Sequence, residues 1–151
     1  MADLNFIGSS KQITQSDIEA LEKRLNTSLP SSYRIFVLDV NGGRPNKIFF
    51  TKDGSEYVLN EFFPLFEGEM SFEGQFKDLK LDRNVLPKQL AAIADDAFGN
   101  LICISLSGDN KGGIYFWDHE NYDDMPSMGS ARFLAIDIDH FLQMLMENLG
   151  Q

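Results

Sequence analysis

Ile93-Ala94-Asp95-Asp96-Ala97-Phe98-Gly99-Asn100-Leu101-Ile102-Cys103-Ile104-Ser105-Leu106, closed by Gly112-Gly113-Ile114-Tyr115-Phe116-Trp117-Asp118-His119-Glu120, decides the fold of this chain. Apolar, β-branched and aromatic runs are cut by Gly, Asp and Asn at the positions where tight turns need them. Leu101–Leu106 and Gly113–Asp118 are expected to pair as an antiparallel hairpin across Ser107–Gly112. Alternation puts Ile114 and Phe116 on one face of their strand and Tyr115 and Trp117 on the other. Carboxylates gather at the bends, which suits a surface that grips another molecule.

Helices are expected on both sides of this block. Ser16 with Glu19 makes a capping box, with Thr14 and Asp17 as a competing one, ahead of Ile18, Leu21 and Leu25 at helical spacing. Pro30 suits the first turn of a second helix, whose stripe is Tyr33, Phe36, Val37 and Val40. Asn41-Gly42-Gly43 stops it, since these residues tolerate the left-handed conformation. Strands follow over 47–51 and 55–60, joined at Asp53-Gly54. Ser71 caps a short helix with Phe72, Phe76 and Leu79 inward, which Gly74 weakens. Residues 121–131 read as a loop and 132–136 as a strand. A last helix spans 138–149, with Asp137 as its cap, Phe141, Leu142, Leu145 and Leu149 as its stripe and Gly150 beyond it. Residues 1–12 read as a loose lead-in to one domain over 1–151. The order predicts an α+β fold: a central, largely antiparallel sheet with helices from both ends of the chain packed against it.

Composition narrows the function. The 151 residues carry 13 Lys and Arg against 23 Asp and Glu, a net charge of −10. That sign repels phosphate backbones and favours basic partners. A chain of this length hides roughly 70% of its unfolded surface, and its mean hydropathy of −0.21 is ordinary for a soluble domain. The single cysteine, Cys103, sits mid-strand and reads as a buried, reduced thiol of a cytoplasmic protein. No signal peptide or membrane span is evident.

The chemistry-bearing residues are weighed in the same way. Asp95 and Asp96 serve either a turn or a partner, and Gly99 and Asn100 shape that turn. Trp117 is either packed or an interface anchor. Asp118, His119, Glu120, Tyr122, Asp123 and Asp124 form the best interface candidate, with Met125, Met128 and Gly129 adding an adaptable apolar part. No His-Glu-x-x-His, Cys-x-x-Cys, Gly-x-Ser-x-Gly or P-loop pattern is present, so no metal, cofactor or catalytic residue is expected, and the chain does not read as an enzyme.

Leu29-Pro30-x-x-Tyr33, Asn41-Gly42-Gly43, Ile93-Ala94-Asp95-Asp96-x-x-Gly99-Asn100 and Gly113–Glu120 occur here in the order found in the SUKH superfamily, which the chain resembles from about residue 14 to 149. This group is related to the yeast cell-wall assembly regulators, and its bacterial members commonly serve as immunity proteins against polymorphic toxins. Asp137-Ile138-Asp139-His140-Phe141 departs from the Ser-Phe-x-x-Phe usual at the last helix, although Asp caps as Ser does. The resemblance implies an α+β domain that binds and blocks a toxin, often a nuclease, made by the same cell. The expected partner is therefore a basic toxin domain, bound by a monomer or weak homodimer, without nucleic acid or membrane. The alternative is a regulatory scaffold that binds cellular proteins.

Overall fold

A six-stranded antiparallel meander organises the molecule in a computed structural model that describes residues 4–120 and 126–148. Its strands run in chain order: β3 (Phe49–Lys52), β4 (Ser55–Phe62), β5 (Leu90–Asp96), β6 (Leu101–Ser105), β7 (Ile114–Trp117) and β8 (Ala131–Ala135). A separate two-stranded ribbon pairs β1 (Phe6–Ile7) with β2 (Arg44–Pro45). The helices are α1 (Gln15–Leu25), α2 (Ser31–Asp39), α3 (Phe72–Gln75) and α4 (Ile138–Met144), and a π-helical segment, Phe76–Asp82, continues α3. The expected α+β architecture is the one observed.

The two faces of the sheet carry different cores, as the alternation in β7 requires. Ile102, Ile104, Ile114 and Phe116 face Ile18, Leu21, Tyr33, Phe36, Phe141 and Leu142 from α1, α2 and α4. Aromatic rings fill this layer, with Phe50 stacked on Tyr57 at 4.8 Å and edge-on to Phe141 at 5.1 Å. Leu101, Cys103, Tyr115 and Trp117 lie on the other face, under Leu79 of the π-helical segment and Leu86 of the loop after it. The sheet also curls. Arg132 on β8 donates to the Tyr57 hydroxyl on β4 at 2.9 Å, and Lys52 at the end of β3 lies over the ring of Phe133.

Several local expectations need correction. Thr14, not Ser16, caps α1: its hydroxyl accepts from the Asp17 N–H, and the Asp17 carboxylate accepts from the Thr14 N–H. This register puts buried Ile13 and Ile18 at the two positions of a hydrophobic staple, which a Ser16 cap would not do. The lead-in is not wholly loose, because Phe6 pairs with Pro45 and packs against Phe36 and Phe62.

Pro30 is the N-cap of α2 rather than its first helical residue. Asn41 does not take a left-handed conformation; α2 already ends at Val40 in an extended conformation. Buried Asn41 instead clamps two segments, accepting from the Leu65 N–H and donating to the Lys11 carbonyl, each at 2.8 Å. Gly42 is left-handed at φ +80°, and a Cβ there would stand 2.6 Å from the Pro64 nitrogen. Gly43 joins an isolated bridge to Phe62.

Asp137 caps α4 by accepting from the His140 N–H, as expected. The helix ends at Met144, however, because Met146 exchanges two backbone hydrogen bonds with Phe49 and runs beside β3. Leu149 and Gly150 lie outside the described residues.

Candidate functional site

Among the described residues the second face of the sheet is only partly covered, and the part they leave open forms a groove. Strand register builds its floor: Glu61 stands opposite Asp95, Asp95 opposite Leu101, Leu101 opposite Trp117 and Trp117 opposite Ala131. Asp95, Leu101 and Trp117 therefore lie in one cross-strand row. Its walls are Met70, Gln75, Leu79, Arg83 and Val85 on one side and Gly99 and His119 on the other, around a volume of about 320 Å³.

Asp95 is the acidic group of that floor. Its Oδ1 accepts from the Asn60 amide at 3.0 Å and from the Glu61 N–H at 3.4 Å. Burial, opposed by those two bonds and assisted by the nearby Glu61 carboxylate, raises its pKa above the ordinary Asp value. Among the described residues no cation pairs with it.

Asp96 points to the other face and is spent locally. Only 4% exposed, it accepts from the N–H groups of Phe98 and Asn100 through Oδ1 and from the Asn100 side-chain amide through Oδ2. Of the two open readings, this geometry supports the turn. Gly99 lies in that turn at φ +87°, and a Cβ added there would come within 3.5 Å of the His119 ring. The turn presents Phe98 to solvent at 71% exposure, a residue that sequence reading did not single out.

Trp117 is packed, at 3% exposure, and contributes to the groove floor without projecting from it. His119 Nδ1 lies 2.8 Å from Asn100 Oδ1, and Nε2 lies 3.7 Å from the Glu120 carboxylate. Asp118 accepts from the Glu120 N–H, shaping the turn after β7, and Glu120 itself is exposed. Tyr122, Asp123, Asp124 and Met125 lie outside the described residues. Met128 packs against the second core, while Gly129 belongs to a short 3-10 turn.

An acidic hollow adjoins the groove through Gln75. Glu67, Glu69, Glu73, Asp78 and Asp82 surround about 530 Å³, with Lys77 at the edge. Glu73 forms a two-point pair with Arg24 and lies 3.6 Å from Lys77, and Asp78 pairs with Arg83. Among the described residues Glu67, Glu69 and Asp82 make no ion pair. Sequence reading passed over this hollow because its carboxylates come from three consecutive pieces, a loop, the short α3 and the π-helical segment, which only the fold brings around one volume.

Nothing in the groove resembles an activated nucleophile. Cys103 is fully buried, and burial pushes its thiol pKa strongly upward. Among the described residues no three His, Cys, Asp or Glu side chains group to hold a metal, and no helix is long and apolar enough to cross a membrane.

The profile of the SMI1 / KNR4 family (SUKH-1) matches residues 12–144, which takes in the groove, the helices and every strand of the large sheet. The chain belongs to the SMI1 / KNR4 (SUKH-1) family. It is also similar to the immunity protein YxxD of Bacillus subtilis (strain 168), at 26% identity over 160 residues, covering 95% of this chain and 90% of that protein. The SUKH-1 match bears out the resemblance drawn from the ordered turn and strand motifs.

Proposed function

We propose that this SUKH-1 protein is an immunity protein, which binds a cognate polymorphic toxin domain of basic, nuclease-type character and neutralises it without catalysis. The observation that carries this reading is the near full-length similarity to a protein named for immunity. The groove fits it, because its polar groups are held in structural bonds and it offers a recessed carboxylate where an enzyme would need a nucleophile and base. The net charge of −10 would draw a cationic partner toward the groove and the acidic hollow, raising the association rate. Action in the cytoplasm, where the toxin is made, completes the proposal.

Growth decides it. The toxic domain encoded beside this gene is expressed with and without this chain, and growth is expected to return only with it. No rescue, or a neighbouring gene that encodes no toxin, would count against immunity. Stopped-flow association with the purified toxin domain should slow steeply as salt rises.

A further inference from the structure

We infer that the groove over β5, β6 and β7 is a receptor for a single arginine side chain of the partner, with Asp95 as the group that receives the guanidinium. The partner class comes from the immunity reading; the chemistry comes from the groove itself.

Three observations converge. First, Asp95 and Glu61 are directly opposite each other on adjacent strands, and like charges so placed repel. Among the described residues no cation relieves that repulsion: Asp95 receives neutral donors, the Asn60 amide and backbone N–H groups including that of Glu61. A cation delivered from outside would relieve it.

Second, the other polar groups of the wall are already engaged. Gln75 donates to the Glu69 carbonyl at 2.9 Å, Arg83 holds the Asp78 carboxylate through two nitrogens, and His119 is held by Asn100. Among the described residues the Asn60 and Glu61 donors both reach Asp95 at Oδ1, which leaves Oδ2 to accept from a new donor.

Third, the approach to Asp95 has an apolar side, facing the engaged Gln75, Arg83 and His119. Leu79, Val85, Leu101 and Trp117 line it within a volume of about 320 Å³. A side chain that enters must bring a long hydrocarbon stem and a charge at its tip. Arginine fits better than lysine, because its guanidinium is more weakly hydrated, lies flat against aromatic surface and presents several donors to one carboxylate.

Trp117 is the sole tryptophan and lines the groove, so its fluorescence reports occupancy directly. Acetyl-Gly-Arg-Gly-amide is titrated into the full chain alongside the citrulline peptide, which keeps the shape and loses the charge. The arginine peptide should change Trp117 emission saturably, and the citrulline peptide should bind at least tenfold more weakly. Asp95→Asn should lose the arginine response to the same degree while still melting cooperatively and no earlier than the parent, since removing a recessed charge does not endanger the fold. Equal responses to both peptides, or an unchanged response in Asp95→Asn, would overturn the assignment. A chain that rescues growth yet fails the arginine test sinks this inference alone. One that binds the arginine peptide but gives no rescue sinks the immunity reading and leaves the receptor standing.

Discussion

Asn100 Oδ1 receives the backbone N–H of His119 at 3.2 Å and lies 2.8 Å from its ring Nδ1, so the turn after β5 and the end of β7 form one rigid corner. The other side of Asn100 is bonded to Asp96, through its backbone N–H and its side-chain amide. A buried carboxylate thus orders a turn, and the turn orders the histidine at the groove wall. Rigid loops of this kind are where binding residues gain their precision.

That corner should be costly to remove. Asp96→Ala leaves the Phe98 and Asn100 N–H groups without their acceptor, and losing hydrogen bonds in a part-buried turn that water can reach costs about 0.5–1.5 kcal/mol. Asn100→Ala should cost a similar amount. Equilibrium urea unfolding measures both, and a loss near zero for Asp96→Ala would show that the turn stands without its carboxylate.

Asp95 should make stability depend on pH in an unusual direction for a carboxylate. Its folded pKa is raised, first by burial, so the native state holds the proton more tightly than the unfolded chain. Between the ordinary Asp value and the raised one, the native state carries more protons, and stability falls as pH rises through that window. Asp95→Asn should therefore match the parent at the acid end and be more stable at neutral pH. Melting curves of the two proteins across that range would test the sign, and a less stable Asp95→Asn at pH 7 would refute it.

Gly74→Ala sets helix propensity against packing. Propensity alone would favour alanine by roughly 1 kcal/mol. A Cβ at this position, however, would collide with the Gly68 carbonyl oxygen and stand 2.7 Å from that of Glu69. Both are backbone atoms that cannot swing aside, so overpacking should win and destabilise by about 1–3 kcal/mol. The midpoint of chemical denaturation should drop; a rise would mean that the 67–71 loop yields easily.

Cys103 should react only after unfolding. Its side chain is fully buried on β6 between two strands, and burial keeps the thiol protonated. Labelling with an aromatic disulfide reagent should be negligible in buffer and complete in denaturant. Fast labelling of the native chain would place the thiol on an accessible path.

Much of this fold is legible in the chain because periodic burial leaves a direct trace there. The alternation of Ile114, Tyr115, Phe116 and Trp117 is enough to separate the two cores, and Asp137 marks the start of α4. The resemblance to SUKH proteins comes from the same turns and strands. What is not legible lacks a period. Phe6–Ile7 is too short to alternate, and the end of α4 is set by a strand pairing with Phe49, nearly a hundred residues away. The competing caps at Thr14 and Ser16 differ by where Ile13 goes, which only the packed core decides.

By itself the sequence determined the class of fold, the acidic character of the protein and the residues that bend its chain, because those follow from local geometry and summed charge. Tertiary structure alone decided what the paired carboxylates do. Register turns Asp96 inward to three hydrogen-bond donors and sets Asp95 in a row with Glu61, Leu101 and Trp117. Adjacent residues of a strand face opposite ways, and which way each faces depends on partners distant in the chain.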